Sequence, residues 1–169
     1  MSLSQQDSFL ALHEGFKPRV LGYVRRRISS NATAEEIAAD VFRIAWQKRE
    51  AVPDPSIGWL LKVARNLIGN EYRSRARASQ LQDRLRDSER LRSQGLADDG
   101  TRAVIAATLG RLRDKDREIL LLVYWEDLTM SEVAEVLSCK EAAARVRLHR
   151  ARKSFEQALP QQLRPTGKD

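Results

Sequence analysis

Apolar residues recur along this chain at three- and four-residue steps, and those steps predict helices throughout. Phe9, Leu12, Phe16, Val20, Val24 and Ile28 share one face of a first helix. Pro18 is expected to kink or break that helix, and Ser29-Ser30-Asn31 to end it. Thr33-Ala34-Glu35-Glu36 has the spacing of a capping box, with Thr33 as the cap and Glu36 reaching back. A second helix is therefore predicted from Thr33 to about Arg49. Val52-Pro53-Asp54-Pro55 reads as a loop in which Asp54 caps and Pro55 opens a third helix, running to about Arg77.

The pattern then changes. Ala78 to Arg102 has few apolar residues beyond Leu81, Leu85, Leu91 and Leu96, and its five arginines balance five acids. This predicts a flexible linker, weakly helical at its start. Apolar periodicity resumes at Val104, Ile105, Leu109 and Leu112, and Asp114 or Asp116 can start a helix carrying Ile119 to Trp125. Thr129-Met130-Ser131-Glu132 is a second capping box, ahead of Val133, Ala134, Val136 and Leu137. A break at Ser138-Cys139-Lys140 and a long basic helix to about Leu159 complete a helix-turn-helix. The expected fold is all-α: a helical bundle over 1–77, a linker over 78–102, a helix-turn-helix domain over 103–160 and a loose tail over 161–169.

Helical projection sorts the side chains. On the last helix Ala144, Leu148, Ala151 and Phe155 form a narrow stripe suited to a core. The opposite face carries Ala142, Val146, His149 and Lys153. Arg145 and Arg152 flank it on one side, Arg147 and Arg150 on the other. Small residues between arginine rims let a backbone approach a major groove while the rims reach base edges or phosphates. On the second helix Ile37, Val41 and Ile44 make one apolar side, Phe42 and Trp46 another. Glu36, Asp40, Arg43 and Gln47 form the polar strip between them. A helix apolar on two sides sits centrally in a bundle, so that strip is its outlet to a partner. On the third helix Trp59 and Tyr72 are interleaved with Lys62, Arg65, Asn66, Arg73, Arg75 and Arg77, a composition suited to single-stranded nucleic acid. Trp59, beside Leu60, Val63 and Leu67, fits a core position better than a stacking platform. Arg65 and Asn66 are the better candidates for polar readout.

Charge strengthens the nucleic-acid reading. The 169 residues carry a formal net charge of +7, with a pI near 10.0. Ser56 to Arg77 holds five basic residues and one acid, and Cys139 to Lys153 six and one. Two basic segments on an otherwise near-neutral chain suggest two contacts with one polyanion. Eight glycines and five prolines argue against a turn-rich all-β fold. The polar start, Met1 to Asp7, is unlike a signal peptide, and a cytoplasmic protein is expected. Cys139 is the single cysteine and His13 and His149 the only histidines, so no disulfide, metal set or cofactor is expected. Cys139 is expected to be a small buried turn residue.

Several stretches resemble sigma factors of the extracytoplasmic-function kind. Ala34-Glu35-Glu36-Ile37-Ala38-Ala39-Asp40-Val41-Phe42, followed by Ala45-Trp46, resembles their polymerase-binding helix. Trp59-Leu60-Leu61-Lys62-Val63-Ala64-Arg65-Asn66-Leu67 resembles the helix that follows it. Leu112 to Leu122 is similar to the start of their second domain, and Leu128 to Leu137 with Arg147 to Lys153 resembles its helix-turn-helix. The chain departs from the pattern at Ala39, Asn70, Ser138, Lys140 and Ala142, where the family often has Gln, Asp, Gly, Pro and Gly.

The resemblance implies a division of labour. Glu36, Asp40, Arg43 and Gln47 would bind the clamp helices of RNA polymerase's largest subunit. Trp59, Lys62, Arg65, Asn66, Arg73 and Arg75 would melt and hold the minus-ten element, with Asn66 near a flipped base. Lys140, Arg145, Val146, Arg147, His149, Arg150, Arg152 and Lys153 would read the minus-thirty-five element as duplex. The second domain would also meet the polymerase flap, and an anti-sigma partner would hold the protein inactive. Two other readings compete. A conventional dimeric helix-turn-helix regulator would bind duplex unaided, but the two-sided second helix and the second basic segment argue against it. A DNA-acting enzyme needs a nucleophile or a carboxylate cluster, and no supported constellation stands out.

Overall fold

A computed structural model describes residues 3–75 and 100–166, all helical or connecting, with no strand among them. They fall in two compact units. The first holds α1 (Leu3–Arg25), α2 (Asn31–Gln47) and α3 (Ile57–Ser74). The second holds α4 (Thr101–Arg111), α5 (Asp114–Tyr124), α6 (Met130–Leu137) as far as Ala134 and α7 (Glu141–Ala158), then a short 3₁₀ turn at Gln161–Leu163, while Glu135–Ser138 group with the first. Arg77, the tail from 167 and most of the expected linker, including Leu81, Leu85, Leu91 and Leu96, lie outside the described residues. Thr101 and Arg102, placed in the linker by composition, already belong to α4.

In the first unit each helix packs on the other two. The core is Val20, Tyr23 and Val24 from α1, Ile28 just past its end, Ile37 and Val41 from α2, and Leu60, Leu61, Ala64 and Ile68 from α3. Pro18 does not break α1, which runs unbroken through it. Pro18 and Glu14, whose carbonyl loses a partner, both face solvent. The cost of about 3 kcal/mol is offset by burying Val20, Tyr23 and Val24 at about 1.5–3 kcal/mol each. The helix ends at Arg25, earlier than the serine run.

Serines, not the expected residues, cap the next two helices. Ser30 Oγ accepts from the Thr33 N–H at 3.2 Å, so α2 begins at Asn31 and Thr33 lies within its first turn. Ser56 Oγ accepts from the Trp59 N–H at 3.0 Å, displacing Asp54 and Pro55 from the roles assigned to them. A serine caps as well as an aspartate, and starting α3 at Ile57 carries Ile57, Leu60 and Leu61 into the core. The helix ends at Ser74 rather than Arg77.

In the second unit α7 packs on α5 and α4. Ala106, Leu109, Ile119, Leu120, Leu122, Val133, Ala144, Leu148 and Ala151 are buried. Asp114 opens α5 and holds Arg117 at 2.6 Å, a favourable place for an acid at a helix start. The second capping box forms as expected. Thr129 Oγ1 accepts from the Glu132 N–H at 3.2 Å, and Glu132 Oε1 accepts from the Thr129 N–H at 3.1 Å.

Candidate nucleic-acid interface

The turn between α6 and α7 aims the basic helix. Ser138 has φ 52°, in the left-handed region. The Cys139 N–H reaches the Ala134 carbonyl at 3.0 Å and the Ser138 N–H the Glu135 carbonyl at 3.2 Å. These are the two bonds of a Schellman motif, which glycine usually closes. Cys139 is half-buried here, more open than expected.

The α7 projection holds. Ala144, Leu148 and Ala151 are buried, with Phe155 half-buried in the same stripe. Arg145, Val146, Arg147, His149, Arg150, Arg152 and Lys153 are all exposed, as is Lys140 at the helix cap. Val146 is 50% exposed, which an isolated apolar residue in mid-helix does not need for packing. Two rim arginines have partners. Arg145 Nη2 pairs with Glu141 Oε1 at 2.6 Å, one turn back. Arg152 Nε donates to the Tyr124 hydroxyl at 2.7 Å, across from the end of α5. Nothing in the sequence singles out Tyr124 as a partner of Arg152, because no periodicity links positions 28 residues apart.

On α3 the candidates separate. At about 100° per residue, Trp59, Lys62, Asn66 and Arg73 fall within one strip, Arg65 lies to its side and Arg75 on the far side. Asn66 and Arg73 are exposed; Trp59, Lys62 and Arg65 are half-buried. Arg73 Nη2 donates to Asn70 Oδ1 at 2.6 Å. Arg75 is engaged inward, with Nε on Glu71 Oε1 at 2.8 Å and Nη2 on Thr33 Oγ1 at 3.4 Å. Its guanidinium ties the end of α3 to the start of α2. Tyr72 also turns inward, donating its hydroxyl to the Arg27 carbonyl.

On α2 the two apolar sides are both covered. Ile37 and Val41 are buried, and Phe42 and Trp46 meet α1 through edge-on contacts with His13 at 4.6 Å and Phe9 at 5.0 Å. The strip between them faces out. Glu36, Arg43 and Gln47 are exposed and Asp40 is half-exposed. Asp40 and Arg43 pair at 3.1 Å, so the strip presents one internal ion pair between an acid and an amide. Among the described residues no cluster of His, Cys, Asp or Glu could hold a metal ion, and no helix is long and apolar enough to cross a membrane.

Residues 12–78 match the family model described as Sigma-70 region 2, and residues 102–155 the one described as Sigma-70, region 4. An ECF RNA polymerase sigma factor SigK from Mycobacterium sp. (strain KMS) is 30% identical over 152 residues, covering 84% of this chain and 78% of the relative. Among solved structures, CnrH in complex with the cytosolic domain of CnrY aligns with a TM-score of 0.62 at 23% identity, over 90% of this chain and 87% of that one. The sigma factor RpoE in complex with the anti-sigma factor NepR from Bartonella quintana gives 0.58 at 18%, over 89% and 95%. These two likenesses support the helical fold.

Proposed function

The chain belongs to the extracytoplasmic-function sigma factors of the sigma-70 family, and from that premise we propose how its surfaces divide the work. It is a transcription initiation factor: it directs core RNA polymerase to specific promoters and assists their melting. Two units joined by a linker would form the working molecule, 1–77 on the polymerase and the minus-ten element, 103–160 on the minus-thirty-five element. The chemistry of RNA synthesis stays with the polymerase, so the chain needs no catalytic group of its own, and it works in the cytoplasm where its polymerase and DNA are.

The α7 face carries this reading furthest. Its arginines, lysine and histidine are exposed opposite a buried alanine–leucine stripe, directly after a helix-turn-helix turn. Lys140, Arg145, Val146, Arg147, His149, Arg150, Arg152 and Lys153 contact the duplex. Trp59, Lys62, Asn66 and Arg73, with Arg65 beside them, contact the minus-ten strand. Arg75, held by Glu71 and Thr33, serves the bundle instead. Glu36, Asp40, Arg43 and Gln47 dock on the clamp helices. An anti-sigma factor is a further partner, since a protein of this fold has been seen bound to one.

Run-off transcription from a genomic promoter library tests the reading, using core polymerase with and without this chain. Discrete new start sites are expected only in its presence. A purified chain that dimerises and binds a specific duplex without core, while adding no start sites, overturns it in favour of a conventional regulator.

A further inference from the structure

The contact between Tyr124 and Arg152 is not demanded by packing. Tyr124 is the last residue of α5 and is 55% exposed, and Arg152 is exposed on α7. The Arg152 Nε donates to the phenol oxygen at 2.7 Å, and the guanidinium carbon lies 5.7 Å from the ring centre. Neither residue is buried by the other, so the bond contributes orientation more than stability.

Counting donors shows what is left over. The bond uses the Nε–H and leaves the two Nη amines of the guanidinium fork. The phenol oxygen accepts, so its own hydrogen remains to be donated elsewhere. A cation donating to that oxygen polarises the O–H and strengthens it as a donor. Two kinds of donor, an O–H and an Nη fork, therefore stand side by side with one positive charge between them. A phosphodiester offers two non-bridging oxygens and one negative charge, which matches.

Position favours DNA over an acidic protein surface. Arg152 is seven residues from Arg145, on the same rim and about 10 Å farther along the helix axis. No acidic residue occurs from Ala142 to Phe155. We propose that Tyr124 and Arg152 form one composite phosphodiester site at the edge of the duplex-reading face, in which Tyr124 donates its O–H to the phosphate and also holds the arginine fork in place. The proposal rests on the reading of α7 as the duplex-reading helix. Preorganisation is its physical gain: an arginine already fixed loses less rotamer freedom on binding.

Methylphosphonate scanning of the minus-thirty-five element tests it, with the full chain in holoenzyme. Replacing one backbone phosphate at a time with the neutral group removes one charge and one acceptor. Wild type is expected to lose about three- to tenfold in affinity at the phosphate that this site binds. Arg152→Ala should lose binding to the unmodified duplex and its sensitivity at that one position. Tyr124→Phe, which keeps the ring and removes only the oxygen, should lose part of both at the same position, with thermal unfolding unchanged. Arg152→Lys, which keeps charge but not the fork, should fall between wild type and Arg152→Ala.

If Tyr124→Phe keeps the full wild-type profile while Arg152→Ala loses one position, Tyr124 is no ligand and the composite site is wrong. If both variants keep the full profile, the proposal fails. The positions answering to Arg145→Ala and Lys153→Ala in the same scan then show whether α7 still reads the duplex. If Tyr124→Phe weakens binding to core polymerase and leaves the profile unchanged, the pair faces protein, which also overturns the proposal.

Discussion

The basic helices α3 and α7 each have 18 residues, with three lysines and arginines on α3 and five on α7, and they use them differently. On α7 every lysine and arginine is exposed, and the buried stripe is built from alanine and leucine alone. On α3, Lys62 and Arg65 are half-buried, and Arg75, at its C-terminal cap, is spent on Glu71 and Thr33. The difference follows from packing. α3 touches both other helices of a three-helix bundle, so little of its circumference is open. α7 packs along one side and offers the rest. Basic residues in a sequence thus stay open to solvent in one case and serve partly as internal ties in the other.

The strongest way to break the comparison is to damage the narrow stripe on which α7 depends. Leu148→Ala removes its largest buried side chain, and a loss of about 2–4 kcal/mol is expected in urea unfolding followed by circular dichroism. A loss under 1 kcal/mol would mean that α7 is held by something other than its stripe.

Next come the surfaces themselves. Arg145→Ala should change which minus-thirty-five sequences are used, costing about 1–3 kcal/mol at one base pair. Lys153→Ala should weaken all sequences alike and lower the salt slope of promoter binding by about one. Transcription from a library randomised at that element separates the two. An unchanged ranking with Arg145→Ala would make that arginine an electrostatic anchor and move readout to Val146 and His149 or to duplex shape.

In the first unit the expected signs reverse. Arg75→Ala should lower stability by about 0.5–1 kcal/mol, because it removes a partly exposed ion pair and a hydrogen bond. Its salt slope for promoter binding should stay that of wild type. A drop of one in that slope, with stability intact, would return Arg75 to the nucleic-acid face. Asp40→Lys sharpens the contrast within the same unit. It should weaken core binding in co-purification while changing stability by under about 0.5 kcal/mol, as exposed substitutions do.

The smallest expected effect is a gain. Ser138 holds a positive φ that glycine adopts freely, so Ser138→Gly should stabilise by about 0.5 kcal/mol, read as a raised urea midpoint. A lowered midpoint would mean that the serine side chain contributes more than its backbone strain costs.

Much of this architecture was legible in the residues. Helical periodicity, the reciprocal bonds of Thr129 and Glu132, the break at Ser138 and the buried and open faces of α7 all follow from local rules, and all appear. Cap choice did not follow. Thr33 and Asp54 are good caps, but Ser30 and Ser56 are good ones too, and the choice falls to whichever start best seats the apolar face. Pro18 carries a local penalty that only the depth of burial of its neighbours could offset. The engagement of Arg75 with Thr33, 42 residues away, and of Arg152 with Tyr124, 28 away, belongs to tertiary structure, and no spacing rule encodes it.

The turn after α6 has one more consequence. Both bonds that close it run between peptide groups, from Cys139 to Ala134 and from Ser138 to Glu135. Side chains at the turn therefore tune how firmly it closes, whereas the main chain sets the direction in which α7 departs. Substitutions there can accumulate without re-aiming the helix. On the proposed reading of α7 as the duplex-reading helix, a different promoter preference can then evolve on its exposed face alone, leaving its mounting untouched.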